Sequence, residues 1–426
     1  MANIVVVGGG WAGCAAAVAA ANAGAEVRLL ERTDLLLGTG LVGGIFRNNG
    51  RYTAAEELIA LGGGELIMQM DQAARHKNID FPGHHHASLY DVVKIEPAVR
   101  KLLLSKNINI SLHSLVVDVV MAGKTITALL LADGTIVRGD VFVDTTGTFG
   151  PMGNCLKYGN GCAMCILRCP SFGPRVSVTG KAGIKEESGT TADGAIGAMS
   201  GSCKLNKDSL SEQLLQRLEQ QGVAVIPLPE HLIKKGSLTQ KACVQYALDA
   251  FAENVILLDT GHAKLMSAYF PLAKLRQVPD LEAARFEDPY AGGVGNSVRY
   301  LALSPRDDSL KVIGADNLYC GGEKTGTIVG HTEAILTGTL AGHNAVRQKL
   351  GLARLLLPAA LVAGDFIAYV GAQMKIPAGR SQRYTFAGAG YFERMKEQGR
   401  YTTSPEEIAE RVQDQNLTGI FASRLH

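Results

Sequence analysis

"IVVVGGGWAGCAAAVAAANAGAEVRLLE", from Ile4 to Glu31, decides the fold. The four apolar residues Ile4 to Val7 predict a buried strand. The small residues from Cys14 to Gly24 predict a helix, and the stretch ending at Glu31 predicts a second strand. Gly8, Gly10 and Gly13 occupy the turn between the first strand and the helix with the spacing G-x-G-x-x-G. In that context the spacing marks a dinucleotide site. Gly8 permits the sharp turn, Gly10 lets a pyrophosphate touch the backbone, and Gly13 lets the helix pack on the strand. The phosphates then face free N–H groups at a helix N-terminus. Glu31 ends the second strand, where a carboxylate accepts hydrogen bonds from the adenosine ribose. Arg32, next in the chain, belongs to the same candidate site. The motif does not choose between FAD and NAD.

The chain around this unit has 426 residues, enough for a large core and two or three domains. Hydrophobic residues make up 46% and charged residues 19%, which is a globular composition. The net charge of +2 gives no long-range field for nucleic acid or an acidic membrane, so such binding would need a local patch. The N-terminus has no secretory pattern, and the stretch "LARLLLPAALVAGDFIAYVGAQM" is broken by Arg354, Pro358 and Asp365. That stretch predicts a buried helix pair and no membrane span; a cytoplasmic protein is expected.

Further along, a helix is expected over roughly 54–75, a loop at "GHHH" (83–86) and a helix over 96–105. "NISLHSLVVDVV" predicts one strand, and the Asp133–Gly134 tip predicts a hairpin. "DVFVDTTG" reads as a buried strand running into Gly147. Residues 176–208 are rich in Gly, Ser and Lys and predict a flexible loop. Capping boxes at Ser209/Glu212 and Ser237/Gln240 predict two helices, with the strand "VILLD" after them. A strand–glycine loop–helix unit follows in "LYCGGEKTGTIVGHTEAILTGTLAGHNAVR". The segment beyond about 350 is mostly helical, with Ser404, Pro405 and Glu407 opening one helix.

Four stretches resemble the MnmG (GidA-like) and TrmFO tRNA-modifying flavoproteins. They are the opening βαβ unit, "ALGGGELIMQMDQAARHKNIDF", "DVFVDTTGTFG" and the "LYCGGEKTGTIVGHTEAILTGTLAGHNAVR" unit. Together they cover about half of the chain. The resemblance implies FAD as cofactor and an oxidoreductase chemistry at the flavin. It implies an α/β chain with a Rossmann-like FAD-binding domain of glutathione-reductase type, formed by residues 1–150 plus 300–350. An inserted α/β substrate domain (151–299) and a helical C-terminal segment (351–426) complete it. Thr146 and Gly147 become flavin contacts. Gly322 and Glu323 meet the ribityl and phosphate region, and Gly326, Thr327 and Ile328 bring a helix N-terminus to the flavin pyrimidine edge. Gly338 and Gly342, one turn apart, let that helix pack on the opening unit. Two departures stand out: the family's loop cysteine is missing from "GTGLVGGIFRNNGRY", and the chain lacks room for the long C-terminal extension of the MnmG group.

"CLKYGNGCAMCILRCP" (Cys155 to Pro170) places four of the eight cysteines in sixteen residues. Its spacing, Cys155-x6-Cys162-x2-Cys165-x3-Cys169-Pro170, suits four thiolates around a [4Fe-4S] cluster that exchanges electrons with the flavin. Zinc, a redox pair of catalytic thiols at Cys162 and Cys165, and plain buried cysteines remain open. Cys203 is a spare ligand; Cys14, Cys243 and Cys320 read as packing residues. His84, His85 and His86 read as a solvated loop, a metal site or an acid–base site. Arg168 and Arg175 suit an anionic substrate, the charge at flavin N1 or plain solvation. The basic and aromatic residues of 375–401 suit single-stranded RNA or a domain or dimer interface.

Three functions follow: an FAD-dependent oxidoreductase with an iron–sulfur cluster, a flavin-dependent tRNA or rRNA uridine-modifying enzyme, and a flavin subunit of an electron-transfer complex. The expected partners are a small-molecule or RNA substrate, an electron-donor protein or reduced nicotinamide, and further copies of the chain.

Overall fold

The computed structural model describes residues 2–147, 168–191, 193–196, 198–200, 203–233, 236, 238, 244–267, 270–287 and 297–425. A parallel sheet of five strands forms its centre. The strands are β1 (Asn3–Val7), β2 (Glu26–Leu30), β3 (Asn109–Ser111), β4 (Val141–Asp144) and β5 (Leu318–Cys320), in the order β5-β4-β1-β2-β3. β4 and β5 are buried at every residue, as the apolar Val141–Val143 and Leu318–Cys320 require in a sheet covered on both faces. β5 comes from far beyond the inserted region, so the central sheet is discontinuous in sequence.

Helix α1 (Trp11–Asn22) follows β1, and helix α2 (His331–Lys349) follows β5. The two cross at glycine. A Cβ on Gly338 would lie 2.0 Å from the Ala12 carbonyl oxygen, and one on Gly342 would lie 2.1 Å from that of Ala16. The helices therefore meet backbone to backbone, as the paired glycines predicted.

The strands Val116–Ala122, Thr125–Leu131 and Ile136–Arg138 form an antiparallel sheet over the centre. Its second hairpin turns at Asp133–Gly134, as expected. "NISLHSLVVDVV" is two strands rather than one, since Asn109–Ser111 joins the central sheet and Val116–Ala122 does not. The expected helix over 54–75 is also two, Gly50–Ala60 and Glu65–Gln72. They are separated at Gly62, whose φ of +82° ends the first.

The inserted region carries a four-stranded antiparallel sheet of Cys203–Leu205, Ala263–Leu265, Asn254–Asp259 and Val223–Pro227. It has its own core, including Leu205, Leu214, Leu218, Leu257 and Leu265. The expected loop over 176–208 instead holds the short helix Val178–Lys181 and three short strands, Glu187–Ser188, Ala198–Ser200 and Cys203–Leu205. Helix Glu212–Gln221 is capped by Ser211, whose hydroxyl accepts from Leu214 N–H, and not by Ser209; Gly222 stops it as predicted. Of the second expected helix, the described part is a 3-10 turn at Val244–Tyr246 and the one-turn helix Ala250–Glu253. Ser237 and Gln240 lie outside the described residues.

In the C-terminal segment the stretch expected as a helix pair is a single helix, Val362–Met374. Its N-terminal N–H groups of Val362 and Ala363 donate to the buried Glu57 carboxylate at 2.9 and 2.6 Å. Burial pushes that carboxyl up to about 7. Ser404 caps helix Pro405–Asp414 by accepting from Glu407 N–H. The aromatic residues of 375–401 are mostly core: Tyr384, Phe386 and Tyr391 are buried and pack with Phe366 and Tyr369. Arg394 and Arg400 both pair with Asp365. These aromatic residues serve the chain's own core, and their faces are not free to stack on bases.

Candidate flavin site

The G-x-G-x-x-G turn is built as its spacing demands. A Cβ on Gly13 would lie 1.8 Å from the Gly8 carbonyl oxygen, so α1 starts in direct contact with the turn. Gly8 has a φ of +100° and would place a Cβ 2.5 Å from the Thr145 carbonyl oxygen, which brings the end of β4 against the same turn. At Gly10 a Cβ would meet nothing within 4 Å, leaving the open approach that a pyrophosphate needs. Glu31 is buried; its carboxylate accepts from the N–H groups of Gly9 (2.7 Å) and Thr33 (2.8 Å). Each oxygen keeps acceptor capacity for a ribose hydroxyl. Arg32 turns away from the turn and donates to the Gly173 carbonyl at 3.0 Å.

At the end of β4, the fully buried Asp144 accepts from the N–H and hydroxyl of Thr146 and from the N–H and hydroxyl of Thr179. Gly147 follows with a φ of +69° and open space where a side chain would be. Beyond β5, Gly321 and Gly322 close on α2 and α1. Gly322 N–H donates to the Thr337 hydroxyl at 2.9 Å, and Gly322 faces Ala12. Glu323 lies in the 3-10 turn Gly322–Thr325.

Gly326, Thr327 and Ile328 sit before the helix rather than at its start. Tyr384 N–H donates to Thr327, and Val329 N–H donates to Tyr384, so this piece pairs with the C-terminal segment. The N-terminus of α2 is formed by Gly330, His331, Thr332 and Glu333. Thr332 is fully buried, and its hydroxyl oxygen has no hydrogen-bond partner among the described residues. An orphaned polar atom in the first turn of a nineteen-residue helix fits a bound acceptor there, as a flavin pyrimidine edge would supply. The residues present therefore fit FAD.

Sequence reasoning missed three features. The first is the seating of the glycine-rich loop at Gly38–Gly43, which holds the 3-10 helix Gly38–Val42. It rests on Trp11, the first residue of α1, and on His331, the first of α2. Tyr90 donates to the Gly40 carbonyl at 3.0 Å and lies 3.3 Å from His331 Nδ1. Second, Lys324 is fully buried; its ammonium donates to the Ser177 hydroxyl at 2.8 Å and pairs with Glu186, 3.9 Å from Asp144. Third, Lys204 and Lys264 reach the loop from the inserted sheet. Charged residues give no periodic signal, so none of these was visible as a pattern.

The histidine run divides by strand alternation, because residues 84–90 form a strand and not a loop. His84 is buried between Phe81 and Tyr246, with ring centroids 4.7 and 4.8 Å away. Its Nε2–H donates to the Gln245 carbonyl at 3.0 Å, which leaves Nδ1 to accept from Asn48. Burial holds it near a pKa of about 3, so it stays neutral and structural. His85 points outward to Asp80.

Cys155, Cys162 and Cys165 lie outside the described residues, as does Cys243. Cys169 is half-buried and opens the one-turn helix Cys169–Phe172. Arg168 before it pairs with Asp34 and holds that carboxyl below its usual range, while Arg32 grips Gly173. The described end of the cysteine run is thus tied to the chain just past Glu31, on the adenosine side of the dinucleotide turn. Arg168 is an ion-pair partner there, and Arg175 is buried. Among the described residues no group of three or more His, Cys, Asp or Glu side chains is arranged to hold a metal ion. Cys14, Cys203 and Cys320 are buried, and burial pushes the thiols of Cys203 and Cys320 up to about 11 and about 12. They are packing residues and not thiolates. No helix among the described residues is long and apolar enough to cross a membrane.

A sequence model described as glucose inhibited division protein A matches residues 3–269 and 253–353. Two structures of Aquifex aeolicus GidA superpose with TM-scores of 0.69 and 0.66, each at 16% identity. They cover 98% and 99% of this chain and 74% and 78% of their own.

Proposed function

This chain belongs to the family of glucose inhibited division protein A, a family of FAD-dependent enzymes, and we propose that it is an oxidoreductase acting on a base of tRNA. The observation that carries this reading is the reach of the match. It runs on from the dinucleotide turn through the inserted region up to residue 353, which supports a shared overall plan. FAD, when bound, supplies hydride or electron transfer. The backbone at Gly8, Gly10 and Gly13 holds the pyrophosphate and Glu31 the ribose. Thr332 and the N–H groups opening α2 favour negative charge at the pyrimidine edge. Tyr90, whose hydroxyl donates to the Gly40 carbonyl, lies 3.3 Å from His331 Nδ1 and orients that ring where the loop Gly38–Gly43 meets α2. The loop lacks a cysteine, so Cys162 and Cys165 remain the candidate thiols for any covalent step. The test is nucleoside mass spectrometry of tRNA incubated with the FAD-loaded enzyme and a reductant. A new modified uridine is expected. Unchanged tRNA, with no salt-sensitive binding of bulk tRNA, would rule the reading out.

The cysteine spacing favours a second reading, in which Cys155, Cys162, Cys165 and Cys169 hold a [4Fe-4S] cluster that takes electrons from a donor protein or reduced nicotinamide. Protein purified without oxygen would then carry about four iron atoms per chain. Zinc alone, or no metal, sinks it.

A further inference from the structure

Lys204 and Lys264 are direct partners in the antiparallel register of the inserted sheet, so their side chains leave the same face. Lys264 is 6% exposed, and its ammonium donates to the carbonyls of Val42, at 2.7 Å, and Gly43. Lys204 donates to the carbonyl of Leu41 at 3.3 Å. These three carbonyls close the 3-10 helix Gly38–Val42. A helix C-terminus leaves such acceptors without internal donors and favours a cation beside them. On its far side the same loop touches Trp11, Tyr90 and His331, the residues that open α1 and flank the start of α2.

We propose that Lys264, seconded by Lys204, is a positioning residue for the flavin site: it fixes the loop Gly38–Gly43 against the starts of both cofactor helices. The inference rests on the FAD reading above. A role as mere adhesive between the inserted sheet and the rest is already filled. Buried Asp259 accepts from Arg75 (2.9 Å) and His76 (2.9 Å) of the opening region, and from Lys207 (2.7 Å) within the inserted region, none of which belongs to the loop. Lys204 is the weaker grip, with one long hydrogen bond and burial that holds its ammonium below the usual lysine range. The other charged or titratable groups around it are Lys264, Glu287 and His262, with Asp91 next to His262.

The experiment loads wild type, K264M, K264R, K204M and K207M with FAD. It measures the FAD dissociation rate and the midpoint potential of the bound flavin. K264M should release FAD about tenfold faster, the loss expected for a charge-assisted hydrogen bond, and should shift the potential. K264R should restore both, and K204M should give the same changes at smaller size. K207M lowers thermal stability but leaves both readouts at the wild-type value. Normal FAD uptake with K264M and K204M no different from K207M overturns this inference alone. Wild-type protein that takes up no FAD overturns the flavin reading and this inference with it.

Discussion

The crossing of α1 with α2 and the docking of the inserted sheet hold the same cofactor region by opposite means. The helices meet where side chains are missing, with Gly338 and Gly342 laid against the carbonyls of Ala12 and Ala16. The inserted sheet docks through charged side chains, Lys204 and Lys264 on the loop and Asp259 on Arg75 and His76. The first joint has no space to yield and no charge to titrate. The second tolerates adjustment, because each contact ends on a flexible stem. On the proposed flavin reading, the cofactor's phosphate side would rest on the rigid joint and the loop side on the adjustable one.

Substitutions can break this contrast. Gly342→Val should be the most damaging, since even a Cβ would sit 2.1 Å from the Ala16 carbonyl oxygen. A loss of about 3 kcal/mol or more, with loss of FAD uptake, is expected by thermal unfolding and ultrafiltration. Retained stability would mean that the helices can part. At the other joint, Asp259→Asn leaves Arg75 and Lys207 facing a neutral group, at a cost of about 3 kcal/mol in denaturant unfolding. FAD uptake should survive, and its loss would show that the two joints are not separable.

A titration sharpens the contrast next. His343 on α2 is fully buried beside Phe421, with both ring nitrogens unpartnered among the described residues, and burial holds its pKa near 4. The unfolded chain binds that proton below about pH 6.5, while the folded one refuses it until about pH 4. Stability therefore falls as pH drops through that window and is intact above it. His343→Leu should remove about 2 kcal/mol of the loss seen between pH 7 and pH 5, read from urea midpoints. An unchanged pH slope would contradict the burial argument. Last, His85→Ala removes a side chain that is 65% exposed and paired only with exposed Asp80. Stability and FAD uptake should change by less than about 0.5 kcal/mol.

The rigid joint was legible in the sequence and the adjustable one was not. Glycine spacing at 8, 10 and 13, and at 338 and 342, states directly where backbones must touch. Lysine carries no such statement: Lys204 and Lys264 become neighbours only through strand register, sixty residues apart in the chain. Composition also misled at 176–208, where small polar residues suggested a loop and short strands form because long-range pairing supplies their hydrogen bonds. The histidine run misled for the same reason, since strand alternation separates His84 from His85. In the tail, aromatic residues beside arginines looked like an RNA surface, but Phe386 and Tyr391 face each other and Tyr384 packs on Tyr369.

The central claim is that the turn at Gly8–Gly13 and the opening of α2 jointly hold FAD. It is tested most directly by the flavin content of the purified protein. Denatured protein should release about one FAD per chain, with a flavin absorption spectrum before release. A colourless chain that takes up no FAD from solution would contradict the account.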